Sequence, residues 1–224
     1  DKLPFPQTEI LAFGIWTLGA SMVITGDGDL VGAKKIISPA IVISAETDYF
    51  KKIKSFPENY DPIFKPLLQH EAMVFWDKQK GIGLSHYNLL VNVNGIQHAV
   101  DLFEDQTYYV NLEPNSMPWV ILQAMLSLYS GAPMTSKDPD MIFGIDKGDF
   151  RISFKWDKLK ETTPPTLYVC NENTAFISIN NSPIHLTALD NDKNPKIISG
   201  HSVMMGYLDV QLNEQVFKED GLKI

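Results

Sequence analysis

The residues of this 224-residue chain that could carry acid–base chemistry are Glu172, His86 and His185, and no spacing joins them as a dyad. The single cysteine, Cys170, has no partner for an internal disulfide, which fits a reducing compartment or indifference to redox. His98 lies beside an apolar helical stripe and reads as structural or solvated. Phosphate chemistry would need backbone N–H groups at a glycine-rich loop, with small hydroxyl side chains as extra donors. Gly26-Asp27-Gly28 continues into no GxGxxG and reads as a plain turn. Lys80-Gly81 is preceded by Asp77-Lys78-Gln79, where Asp77 adds negative charge and the other two add bulk.

Positioning these groups falls to the stretch from Val74 to Leu90, which reads as a buried strand, a short polar link, and a second strand running into a helix capped by Ser85. Leu89, Val93, Ile96, Val100 and Phe103 continue at helical spacing, so one amphipathic helix is expected over 85–103. Upstream, a helix opens at Pro6 with Thr8 as its cap. Its residues Ile10 to Leu18 are apolar nearly all round, so burial is expected, with a stop at Gly19. Ser21 to Thr25, Asp29 to Ile36 and Ala40 to Ser44 then read as a strand–helix–strand crossover. From Asp48 to Gln69 the chain reads as an extended connection, with Phe50, Phe56, Tyr60 and Phe64 expected to pack onto the domain.

Beyond the central helix, Tyr108 to Leu112 is strand-like. A second helix starts at Ser116, carries Met117, Val120, Ile121, Ala124, Met125 and Leu128 on one face, and stops at Gly131. Ile152, Phe154 and Trp156 alternate as a strand would, and Ile184 to Leu189 and Lys196 to Ser199 read as strands around Asn-Asp turns. The expectation is an α/β fold: a mixed, largely parallel sheet flanked by helices, followed by a strand-rich, more antiparallel part. Two continuous subdomains are expected, over 1–135 and 136–224.

Hydrophobic residues at 44% and charged residues at 21% are ordinary for a globular protein. Net charge is −8 and Arg151 is the only arginine, which argues against a nucleic-acid surface. No run of about 18 apolar residues exists to span a membrane. Residues 1–20 have the wrong order for a signal peptide, so the cytoplasm is the expected address.

Lys80-Gly81-Ile82-Gly83-Leu84-Ser85-His86-Tyr87-Asn88-Leu89 resembles the KGVxLSHxNL segment of the adenylate-forming enzymes, the superfamily of acyl-CoA synthetases, luciferases and nonribosomal adenylation domains. Tyr168 to Ile179 resembles that family's YGxTENTxF segment. Ile198 to Asp209 is similar to its VRGPSVMxGYxN strand and turn, and Val216 to Ile224 to its FxEDGWxxTGD. Leu11 to Thr25 looks like its helix and "LGA" turn. The resemblance implies that Tyr168 packs on adenine, that Glu172 holds Mg²⁺ and is the catalytic candidate, and that Asn171 stands for a Thr that donates to phosphate. Lys80, Gly81 and Ser85 complete the implied cofactor-binding set, with ATP or AMP and Mg²⁺ as cofactors if the ancestral site survives. Read without the resemblance, Ser85 is a helix cap, Tyr168 a core strand aromatic and Glu172 a solvated turn carboxylate.

The sequence departs from the family in three places. The Ser/Thr/Gly loop before Lys80 is replaced by Asp77-Lys78-Gln79. The segment between the two main landmarks is short, which suggests an internal deletion of the part that would set acyl chain length. The sequence ends before the Thr-Gly-Asp and the C-terminal subdomain with its lysine. The expectation is a degenerate acyl ligase-like domain, catalytically impaired as this chain alone, binding an acyl or adenylate small molecule or a protein partner. The alternative is a fragment or divergent member of an active carboxylate-adenylating ligase.

Overall fold

A computed structural model describes all residues except 1, 2, 4, 26–29, 40, 44–47, 49, 50, 52, 78, 79, 156, 157 and 191. Strand β2 (Glu71–Asp77) has five consecutive buried residues, Ala72 to Trp76, the continuous apolar run of a strand covered on both faces. It lies inside a four-stranded sheet, parallel to β1 (Met22–Thr25) and antiparallel to β3 (Lys80–Ser85), with β12 (Gly206–Tyr207) on the far side of β3.

The crossover from β1 through α2 (Leu30–Ile36) therefore closes onto β2, a correction to the expected strand at 40–44. Ile41 to Ile43 form no strand, and Ile41 and Val42 are exposed; residues 40 and 44 lie outside the described residues. The place beside β1 goes to the longer apolar run, which buries both faces.

Helix α3 (His86–Val100) follows β3 directly. Ser85 is its N-cap in a full capping box: the Ser85 hydroxyl accepts from the Asn88 N–H and the Asn88 side chain accepts from the Ser85 N–H. The helix ends three residues earlier than its apolar spacing suggests, because Asp101 takes a left-handed conformation at φ 53°. Leu89, Val93, Ile96 and Val100 face the main core as expected.

The second sheet has six strands in sequence order, β4 (Tyr108–Val110), β5 (Met141–Gly144), β6 (Phe150–Ser153), β7 (Thr166–Val169), β8 (Phe176–Ile179) and β9 (Ser182–Pro183). It is parallel from β4 to β7 and antiparallel from β7 to β9. Parallel neighbours ordinarily need a crossover of a dozen or more residues. Here β5 and β6 are joined by residues 145–149 alone. The reversal is closed by the Asp149 carboxylate accepting from the Ile142 N–H at 2.9 Å. Gly144 makes it possible, since a Cβ there would meet the Lys147 carbonyl. A crossover helix is thus replaced by one tight turn.

Between β4 and β5 runs a π-helical segment (Trp119–Met125) leading into α4 (Leu126–Ser130). All seven residues of the π segment are buried, and Gly131, at φ 78°, stops the helix as expected. The wider π turn shifts the phase of α4, so Leu128, expected on the apolar face, is exposed.

The third sheet is antiparallel throughout: β10 (Thr187–Asp190), β11 (Ile197–Gly200), β14 (Gly221–Lys223) and β13 (Phe217–Lys218), with α5 (Val210–Val216) leading into it. The strand-rich, more antiparallel end is as the sequence suggests. Trp156 lies outside the described residues and Phe154 is exposed beyond the end of β6. The core between α3, the π segment and the sheets includes Phe75, Trp119, Tyr108 and Phe176.

Two expectations about burial are corrected. Helix α1 (Gln7–Thr17) buries only Glu9, Ala12 and Trp16, while Ile10 and Leu18 are exposed. It packs on one side only, against β1 and the π segment. Thr8 caps nothing; its hydroxyl donates to the Leu3 carbonyl, and Pro6 holds the N-cap position. In the 48–69 connection, Phe56, Tyr60 and Phe64 are exposed, while Phe50 lies outside the described residues. Among the described residues, Phe64 alone of the three has a ring partner, stacking on His70. Pro57, Pro62 and Pro66 remove donors that would tie this strip to a sheet. Among the described residues no helix is long and apolar enough to cross a membrane.

Candidate functional site

The site is built around the turn after β7. Cys170 leads into a 3₁₀ turn, Asn171–Asn173, and then Thr174 at φ 68°, ψ −67°. The Ala175 N–H donates back to the Asn173 carbonyl at 2.8 Å, making a γ-turn about a β-branched residue, a rare and strained conformation. Its surroundings hold it there. The fully buried Asn92 amide donates to the carbonyls of Asn173 (3.1 Å) and Phe176 (2.9 Å) and accepts from the Phe176 N–H (3.2 Å). The Thr174 hydroxyl donates to the Ser202 carbonyl at 2.7 Å. Strain of this kind, fixed from several sides, is characteristic of functional turns.

The turn presents Glu172, half-buried, to β12. The Tyr207 hydroxyl donates to Glu172 Oε1 at 2.8 Å, and the Cys170 thiol faces Glu172 Oε2 at 3.7 Å. The Met204 N–H donates to the Glu172 carbonyl at 2.8 Å, so backbone and side chain of this glutamate are tied to one segment. That segment is laid along β3: Met205 and Leu208 donate their N–H groups to the carbonyls of Gly83 and Gly81. The exposed Lys80 places Nζ 5.4 Å from the centre of the Tyr207 ring, within cation–π range. Burial, then the Glu172 charge, push the Tyr207 phenol up and out of reach of ordinary titration. The same two causes, in the same order, keep the Cys170 thiol protonated.

The structure thus brings Lys80, Gly81 and Glu172 together. Asn171 sits on the same turn, half-buried. Tyr168 is buried in a small apolar cluster with Cys170, Ile177 and Ile198. Ser85 is occupied as a helix cap, and the Asn88 that completes the box donates to the carbonyls of His201 and Val203. His86 sits at the start of α3 beside His70; its Nε2 is buried without a partner, and burial, then His70, push its pKa down. His185 and His98 are exposed. No hydrogen bond among the described residues links Glu172 to a histidine.

Tyr207 and Asn92 were not legible as site residues. Tyr207 had a signal only in its place within the Met-Gly-Tyr stretch. Asn92 had one in its spacing: Asn88 and Asn92 lie four apart on one helix face, although Asn is a poor helix former.

Asp77 pairs with Lys80, and Trp76 with Gly81, across the β2–β3 hairpin. Only two residues therefore separate the paired ends where a phosphate-cradling loop would have to fit. Among the described residues, no group of three or more His, Cys, Asp or Glu could hold a metal ion. An open depression of about 470 Å³ lies elsewhere, lined by Leu189, Asp190, Lys193, Ile197, Ser199 and Asp220 among others.

No protein-family model matches the sequence, and no curated protein matches it. Solved structures do match in fold. A malonyl-CoA ligase, solved as a ternary product complex with methylmalonyl-CoA and AMP bound, superposes at a TM-score of 0.76 and 12% identity, over 97% of this chain and 65% of its own. VinN matches at a TM-score of 0.76 and 12% identity, over 97% and 79%. The N-terminal subdomain of NpsA from Klebsiella oxytoca, in complex with 3-hydroxyanthranilyl-AMSN, matches at 0.72 and 14%, over 95% and 76%. The chain thus spans less than two thirds of the malonyl-CoA ligase, and it has the α/β fold of the adenylate-forming ligases.

Proposed function

We propose that this chain is a ligase-fold binding module that holds an adenylate-type small molecule at the Glu172 turn and is impaired, on its own, in adenylating a carboxylate with ATP. The observation that carries the reading is the β2–β3 hairpin, where the pairing of Asp77 with Lys80 leaves two residues for a loop that would have to surround a triphosphate. Joining a carboxylate to an α-phosphate builds negative charge that oriented donors must offset, and loss of a single such donor typically costs about 10²–10³ in rate. The fold, and the gathering of Lys80, Gly81 and Glu172 around Tyr207, support retention of a small-molecule site after the triphosphate cradle was lost.

The test is calorimetric titration of the purified chain with ATP plus Mg²⁺, with AMP, and with a non-hydrolysable acyl-sulfamoyl adenosine, alongside ATP–pyrophosphate exchange. The expected result is micromolar binding of the acyl-adenylate mimic, no measurable ATP binding and no exchange. Absence of binding by all three overturns the nucleotide reading. A second reading, an active carboxylate-adenylating ligase using ATP and Mg²⁺, rests on the carboxylate kept at the strained turn. ATP-dependent exchange by this chain would favour it over the first.

A further inference from the structure

We propose that Tyr207 is the positioning residue for Glu172, and that the site formed around this pair takes its adenylate-type ligand without a divalent cation. The inference rests on the small-molecule reading above and departs from the metal that the fold family implies. A site for Mg²⁺ needs near-octahedral oxygen ligation at about 2.0–2.1 Å, with one or two carboxylates and substrate phosphates among the ligands. The groups around Glu172 do not offer this. Its Oε1 accepts the Tyr207 O–H at 2.8 Å, and its Oε2 faces the Cys170 S–H at 3.7 Å. Among the described residues no second carboxylate or imidazole joins it in a cluster able to hold a metal. The Cys170 thiol is buried, and sulfur is not among the oxygen ligands that Mg²⁺ takes.

Positive charge reaches the site by another route. Lys80 holds its ammonium 5.4 Å from the centre of the same tyrosine ring. An ammonium on a flexible stem can meet a phosphate as a point charge. The phenol's proton occupies the carboxylate oxygen that a cation would otherwise neutralise. The arrangement is fixed in space, because the Glu172 carbonyl accepts from Met204 and β12 is paired with β3. Tyr207 touches Glu172 and acts through it.

The decisive experiment titrates acyl-sulfamoyl adenosine and, in parallel, AMP, whose phosphate oxygens could ligate a metal, into the whole chain, once with excess Mg²⁺ and once with EDTA, for wild type, Tyr207→Phe and Lys80→Met. In wild type the two dissociation constants for each ligand should agree within about twofold. Tyr207→Phe should weaken binding in EDTA by about tenfold, the scale set by losing one hydrogen bond to a charged group, with part of that loss recovered by Mg²⁺. Lys80→Met, a change at an exposed side chain, should weaken binding several-fold in both conditions. Wild-type affinity that rises about tenfold with Mg²⁺ overturns the proposal, as does a Tyr207→Phe affinity unchanged in EDTA.

Failure of wild type to bind the mimic in either condition overturns the small-molecule reading and the metal-free claim together. The positioning role is then decided without ligand, from the ¹³Cδ resonance of Glu172. A resonance that is sharp in wild type and shifted and broadened in Tyr207→Phe upholds it; an unchanged one overturns it.

Discussion

Asn92→Ala tests the claim that helix α3 holds the Glu172 turn in its strained shape. The Asn92 side chain is fully buried and makes three hydrogen bonds, donating to the Asn173 and Phe176 carbonyls and accepting from the Phe176 N–H. At about 1 kcal/mol net for each bond, the loss is about 3 kcal/mol. Part of it is offset, because both carbonyls keep a second donor: Ala175 N–H for Asn173 and the Asn173 amide for Phe176. The small void left by truncation adds to the cost, and relaxation of Thr174 out of its γ-turn returns some. A destabilisation of about 2–3 kcal/mol is expected, read as a lower urea midpoint at unchanged slope. Asn92→Asp should be at least as damaging, since it keeps the shape and one acceptor but removes both donors and buries a charge. If Asn92→Ala costs less than about 1 kcal/mol, or if Asn92→Asp is the milder change, the turn is not held by this amide and the reasoning fails.

Single contacts set three further outcomes. Ser85→Ala removes the N-cap acceptor of α3 and should cost about 1 kcal/mol in a urea melt, with Ser85→Thr largely restoring it. Gly81→Ala places a Cβ 2.7 Å from Leu208 Cδ1 and 3.1 Å from Trp76 Cε3. A loss of about 1–2 kcal/mol is expected, and Gly81→Ala with Leu208→Ala should recover most of it; no recovery would place the clash at Trp76. His86 is held below its ordinary pKa by burial and by His70, so the fold favours its neutral form. Its contribution is present above about pH 6.5 and is lost as pH falls through the lowered folded value, where the unfolded chain binds the extra proton. His86→Gln should flatten the fall in urea midpoint between about pH 7 and pH 5.5, and an unchanged slope would reject the assignment.

What the sequence made legible was local. The Ser85 cap, the helix it starts and the stop at Gly131 are set by residues three or four positions apart, and all three stand in the structure. The exposed side of α1 was not legible, because an all-apolar composition says how much surface wants burial and not whether a neighbour exists to cover it. Leu128 was misplaced for a geometric reason: 3.6-residue spacing was carried through a segment whose turns are wider. In the site, Lys80, Gly81, Asn171 and Glu172 were singled out from short strings, whereas Tyr207 was not. The Glu172–Tyr207 bond joins residues 35 apart in sequence and depends on β12 pairing with β3, a long-range register that no local pattern encodes.

The glycines of β3 link the short β2–β3 connection to the Tyr207 contact. In a phosphate-binding segment, glycine lets backbone approach an anion closely. In this chain Gly81 and Gly83 let another strand approach: their carbonyls accept from Leu208 and Met205, and Leu208 packs where a Gly81 side chain would stand. With the hairpin closed from Asp77 to Lys80, the edge of β3 is paired with protein and carries Tyr207 to Glu172. A sequence feature shared with nucleotide-binding enzymes can thus keep its glycines for a packing reason.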